Sequence, residues 1–89
     1  MITTTITIIN KLGLHARAAA KLVTLAAQFE CDIQLKRNQR AVNGKSIMAV
    51  MLLAASKGTQ LELVTDGVDE VAATEAILQL INNKFGEAE

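Results

Sequence analysis

The stretch ITTTITI, residues 2–8, sets Ile2, Thr4, Ile6 and Ile8 on one side of an extended chain and Thr3, Thr5 and Thr7 on the other. β-Branched alternation of this kind suits a strand with one apolar face toward a core and one polar face toward water. A sheet of such strands is expected to carry its helices on one side only. Downstream, past the glycine-containing loop Asn10-Lys11-Leu12-Gly13, residues Ala19, Leu22, Val23, Ala26 and Phe29 recur at helical spacing. Arg17, Lys21, Thr24 and Gln28 form a polar stripe beside them, which predicts an amphipathic helix beginning at Ala16.

Alternation returns in Asp32–Arg37 through Ile33 and Leu35, and Asn38-Gln39 suits a tight turn into a short strand from Arg40 to Val42. Asn43-Gly44 breaks the chain, Ser46 is placed as an N-cap, and the apolar run Ile47–Ala55 reads as a short helix closing at Lys57-Gly58. Gln60–Thr65 alternates once more through Leu61, Leu63 and Thr65. Asp66-Gly67 turns, and Asp69 is expected to cap a last helix whose inward residues are Ala73, Ala76, Ile77, Leu80 and Ile81, ending at Phe85-Gly86. The predicted order is βαββαβα. The fold class is α+β, a two-layer open-faced sandwich with a four-stranded antiparallel sheet and three helices on one face. Residues 1–89 are expected to form a single domain, with no internal repeat or linker.

Composition narrows the function. A domain of this size hides roughly 60–65% of the surface of its unfolded chain, and a 51% apolar content suffices for that without a metal or a disulfide. The single cysteine, Cys31, cannot form an internal disulfide and is expected to be an inert, buried thiol. With no charged-then-apolar leader ahead of the first strand, a reducing cytoplasm is the expected compartment. Nine basic and nine acidic side chains cancel, and Phe29 and Phe85 are the only aromatic residues, so nucleic acid is not an expected partner. The longest uncharged apolar run has nine residues, against the ~20 of a membrane-spanning helix.

The only histidine, His15, falls at the N-cap of the first helix. There the amides of Ala16, Arg17 and Ala18 lack intrahelical acceptors, and the helix start carries roughly half a positive charge. Arg17 adds a guanidinium whose fork matches phosphate oxygens. The arrangement is an anion cradle around a nucleophilic ring, and the dipole and Arg17 both disfavour the imidazolium. A neutral His15 could accept a phosphoryl group, which the amides and Arg17 would hold without a metal. A small phosphatase would instead need an arginine in a glycine-rich phosphate loop and an asparagine to orient water, which Asn10-Lys11-Leu12-Gly13 does not supply.

The run Gly13-Leu14-His15-Ala16-Arg17, with Ala19 following, resembles the active-site signature of the histidine-containing phosphocarrier (HPr) family of the bacterial phosphoenolpyruvate-dependent phosphotransferase system. The segment Lys45-Ser46-Ile47-Met48-Ala49-Val50-Met51 is similar to that family's regulatory-serine segment, and the resemblance covers the whole chain. It implies a carrier, not a stand-alone enzyme. His15 would accept a phosphoryl group on Nδ1 from the phosphohistidine of Enzyme I and donate it to sugar-specific enzyme IIA components, with Arg17 stabilising the phosphate. Ser46 would be the residue that an HPr kinase/phosphorylase modifies in some lineages. No cofactor and no metal is implied, and a monomer is expected. Many members carry proline where this chain has Ala18, and alanine frees one more amide. A nitrogen-branch phosphocarrier in a regulatory phosphorelay remains the alternative within the family.

The helix after Ser46 is more apolar than one buried face requires. Ile47, Val50, Leu53 and Ala54 can face the sheet while Met48, Met51 and Leu52 point partly away. Methionines suit a surface that accepts differently shaped partners. Ile47, Met48, Met51 and Leu52 are therefore candidate docking residues, with Lys21 and Lys45 as basic residues at their margin that could steer acidic partners.

Overall fold

The alternating isoleucines and threonines form β1 (Ile2–Thr7) in the computed structural model, which describes all residues from Met1 to Glu89. The remaining elements are α1 (Ala16–Ala26), β2 (Asp32–Arg37), β3 (Arg40–Asn43), α2 (Ile47–Leu52), β4 (Gln60–Asp66) and α3 (Glu70–Asn82), followed by a 3-10 turn over Lys84–Gly86. The sheet has the order β1-β4-β2-β3 with every pair antiparallel, and the three helices lie on one face. This is the α+β open-faced arrangement that the strand pattern predicts.

Register places Ile6 opposite Leu61 and Leu35 opposite Leu63, so the inward residues of β1, β4 and β2 make one apolar surface. Ala18, Ala19, Leu22 and Ala26 of α1, Val50 of α2 and Ala73, Ile77 and Ile81 of α3 pack onto it. Fully burying a leucine or isoleucine contributes about 1.5–3 kcal/mol. Small alanines on α1 let that helix sit close to α2 and α3 above the sheet. Phe85 closes the end of this core, from a turn in which it and Lys84 both adopt left-handed backbone, φ 55° and 54°.

Three local expectations change in the folded chain. The second helix ends at Leu52, three residues before Ala55. Ala54 is left-handed at φ 50°, Arg37 Nη1 donates to the carbonyls of Leu53 and Ala54 (2.6 and 3.1 Å), and the carbonyl of Ala55 accepts from the amide of Leu14 (2.8 Å). The left-handed turn at Ala54 stops the helix, and the outside donors satisfy the carbonyl groups just past its end. Ala54 is consequently exposed while Ala55 is buried, and Ile47 turns outward. Asp69 stands at the N-cap of α3 but its carboxylate makes no cap. It accepts from the amides of Glu30 and Cys31, 2.9 Å each, and those bonds hold its pKa below the ordinary carboxylate value. On α3, Thr74 is buried in addition to Ala73, Ile77 and Ile81, whereas Ala76 and Leu80 are half-buried. The Thr74 hydroxyl donates to the carbonyl of Glu70 (2.8 Å) and pairs with the Thr65 hydroxyl (2.7 Å), which satisfies both buried groups.

Candidate functional site

The loop entering α1 is built around Gly13. Its φ of +66° lies in the left-handed region, and a Cβ there would meet the carbonyl oxygen of Ala55 at 2.5 Å and Cα of Ser56 at 2.8 Å. Only glycine lets the loop press against the end of α2. Leu14 then enters the core and His15 takes the extended N-cap conformation, φ −74° and ψ 176°, with its carbonyl accepting from Ala19 (2.8 Å). The His15 side chain makes no cap. The amides of Ala16, Arg17 and Ala18 have no acceptor within the chain, as expected from the sequence. Arg17 is exposed and forms no ion pair.

What the sequence did not reveal is where the imidazole goes. Nε2 of His15 meets Oε2 of Glu87 from the segment after the terminal turn, and both side chains are partly buried, 27% and 18% exposed. Oε1 of the same carboxylate accepts from Nδ2 of Asn10 (3.0 Å), which also donates to the carbonyl of Gly13 (2.8 Å). Glu87 therefore sets a negative charge against a ring that, from sequence, lies among positive groups only. The Asn10 amide beside Glu87, and after it the His15 contact, hold its carboxyl below the ordinary 4.5, against the opposing effect of burial. Glu87 lies 72 residues from His15, and no local pattern marks either it or Asn10.

His15, Arg17 and Glu87 border an open depression of about 710 Å³ together with Lys11, Leu12 and Glu89. Lys11 ties this rim to the chain end, its amide donating to the carbonyl of Glu89 (2.7 Å) and its ammonium pairing with the Glu89 side chain (3.4 Å). Lys21 binds the carbonyl of Phe85 (2.7 Å) and so braces the turn that delivers Glu87.

Ser46 caps α2, its hydroxyl accepting from the amide of Ala49 (3.3 Å). Met48, Leu52, Met51 and Ile47 are all exposed, at 75, 66, 43 and 39%. The bond from Leu14 to Ala55 places His15 at the C-terminal end of this patch. Lys45 sits at the other end, with its ammonium on the carbonyl of Phe29 (2.6 Å) past the end of α1. Thus Arg17 lies two residues beyond His15 in the chain, Lys45 and Ser46 stand at the far margin of the patch, and the apolar residues span the interval. No helix is long and apolar enough to cross a membrane.

Comparison with known proteins adds an independent line. The family model described as PTS HPr component phosphorylation site matches residues 2–83. The chain is 59% identical to the phosphocarrier protein HPr of Pseudomonas aeruginosa over 94% of each chain, and 54% identical to that of Neisseria meningitidis over 100% of each. Its fold superposes on the crystal structure of an HPr from Thermoanaerobacter tengcongensis with a TM-score of 0.96, at 44% identity over 100% of both chains.

Proposed function

The chain belongs to the HPr family of phosphocarriers of the phosphotransferase system, and from that premise we propose that His15 takes a phosphoryl group from Enzyme I and passes it to sugar-specific enzyme II components. The observation that carries this reading is the pairing of Nε2 with Glu87, which leaves Nδ1 without a protein partner at the mouth of a helix whose first three amides are free.

A carboxylate at Nε2 favours the tautomer with hydrogen on that nitrogen and the lone pair on Nδ1. Attack by Nδ1 on phosphorus forms the new N–P bond as the donor's N–P bond breaks. The His15 ring, still carrying its Nε2 proton, becomes a cation opposite Glu87. The phosphoryl oxygens gain the amides of Ala16, Arg17 and Ala18 and the Arg17 guanidinium as donors. In the onward step the acceptor attacks phosphorus, the N–P electron pair returns to Nδ1 and the ring is neutral again. No proton has to leave His15 in either direction, which suits a carrier that must load and unload with little barrier. It turns nothing over alone.

Ile47, Met48, Met51 and Leu52 supply the face on which donor and acceptor dock beside His15 in turn, with Lys45 at its far margin, whereas Lys21, held by the Phe85 carbonyl, lies on the terminal-turn side of α1 instead. A phosphate on Ser46 would find the amides of a helix start on its own side and a desolvation penalty on the partner's side, so modification there would weaken docking without unfolding α2.

Incubation with Enzyme I and labelled phosphoenolpyruvate should put one acid-labile, base-stable phosphoryl group on the protein, and none on His15→Ala. Label retained by that variant refutes the assignment.

A further inference from the structure

Three polar residues are buried in this domain, and two of them, Thr65 and Thr74, satisfy each other. Asn10 differs. It is wholly buried, it commits Nδ2 to two acceptors from opposite ends of the chain, the Gly13 carbonyl and Glu87 Oε1, and no donor of the protein reaches its Oδ1. A buried acceptor without a donor lowers stability, so loop packing alone gives a poor account of an asparagine here.

We propose that Asn10 is a positioning residue for phosphoryl transfer, one that holds Oε1 of Glu87 so that Oε2 stays on Nε2 of His15. The inference rests on the carrier reading of His15. The terminal torsion of a glutamate is broad, and the contacts that orient this carboxylate are Asn10 and His15 themselves. Without Asn10 the carboxylate is held at one oxygen only. Because the same Nδ2 also grips the Gly13 carbonyl, and Gly13 is wedged against Ala55, one side chain fixes the histidine loop and the C-terminal segment in a common frame. The chemistry requires a neutral group offering two protons from one atom beside a carboxylate. Aspartate would repel Glu87, and serine offers one proton.

The test combines transfer kinetics with nitrogen NMR of the His15 ring. In Asn10→Ala the maximal rate of phosphoryl uptake from Enzyme I should fall about tenfold, the scale of a lost hydrogen bond to a charged group, with KM near the wild-type value. The ring should also shift away from the Nε2–H tautomer. In a Glu87→Ala background the same substitution should add no further loss. Unchanged tautomer populations in Asn10→Ala, or an equal loss on top of Glu87→Ala, would overturn the proposal. Should Asn10→Ala not fold, the near-isosteric and uncharged Asn10→Leu, which fills the same space without a donor, is read by the same criteria. A wild-type protein that takes up no phosphoryl group defeats the carrier reading instead, and the tautomer measurement still judges Asn10.

Discussion

At the start of α2 the Ser46 hydroxyl turns back onto the amide of Ala49, whereas at the start of α1 the His15 side chain turns away to Glu87 and leaves three amides open. Both are N-caps with extended backbone, His15 at ψ 176° and Ser46 at ψ 116°. The difference is in the side chain. A cap that bonds its own helix stabilises it by about 0.5–2 kcal/mol, and α1 forgoes that contribution. What α1 keeps is a set of donors aimed at whatever lies beside the imidazole. The longer helix tolerates this because Ala18, Ala19, Leu22 and Ala26 anchor it in the core, while α2 spans six residues and buries Val50 alone. A short helix needs its cap, and a well-anchored one can leave its amides for a ligand.

The contrast can be broken from either side. Arg17→Ala, at the open end, should slow phosphoryl transfer by roughly 10- to 100-fold, the range for a lost hydrogen bond between charged groups, with the melting temperature unchanged because Arg17 bonds nothing in the free protein. Ser46→Ala, at the closed end, should do the reverse. Denaturant unfolding should show a loss of about 0.5–2 kcal/mol, and the transfer rate of the folded protein should stay at the wild-type value. Met48→Asp, two residues beyond Ser46 and 75% exposed, should change stability by no more than about 0.5 kcal/mol. Its effect belongs to the affinity for Enzyme I in a titration, and a shift confined to the melting temperature would return Met48 to the core.

Acid sharpens the comparison most gently. Glu87 titrates below its ordinary 4.5 in the folded protein, so its contribution is complete above that value and is lost as the pH falls through the lower, folded pKa. Proton uptake by Glu87 should release Nε2 and loosen the start of α1. A hydroxyl cap does not titrate there, so the start of α2 should be indifferent. Amide exchange followed from neutral pH downward should show protection falling at Lys11, Gly13 and Leu14 before it falls at Ala49. Simultaneous loss at both helices would mean that Asp69, whose carboxylate is also held below its ordinary range, is failing first and taking the whole fold with it.

Much of this protein is written locally. Alternation in residues 2–8, 32–37 and 60–65 decides which strand faces meet the core, because successive side chains of a strand point to opposite sides whatever the rest of the chain does. The N-cap positions of His15 and Ser46 follow from the change of period just after them. Helix ends and side-chain partners are another matter. How the chain leaves α2 depends on Arg37 and Leu14 reaching the carbonyls just past its last residue, and Asp69, a plausible cap by spacing, is drawn instead to the amides of Glu30 and Cys31.

By itself, then, the sequence determined an open-sided sheet under three helices and a histidine at the mouth of the first, since periodicity and capping act between neighbours a few residues apart. Only the tertiary structure decided which ring nitrogen is free. That choice belongs to Glu87 and Asn10, which lie 77 residues apart and meet because the core brings the chain end back to the first loop.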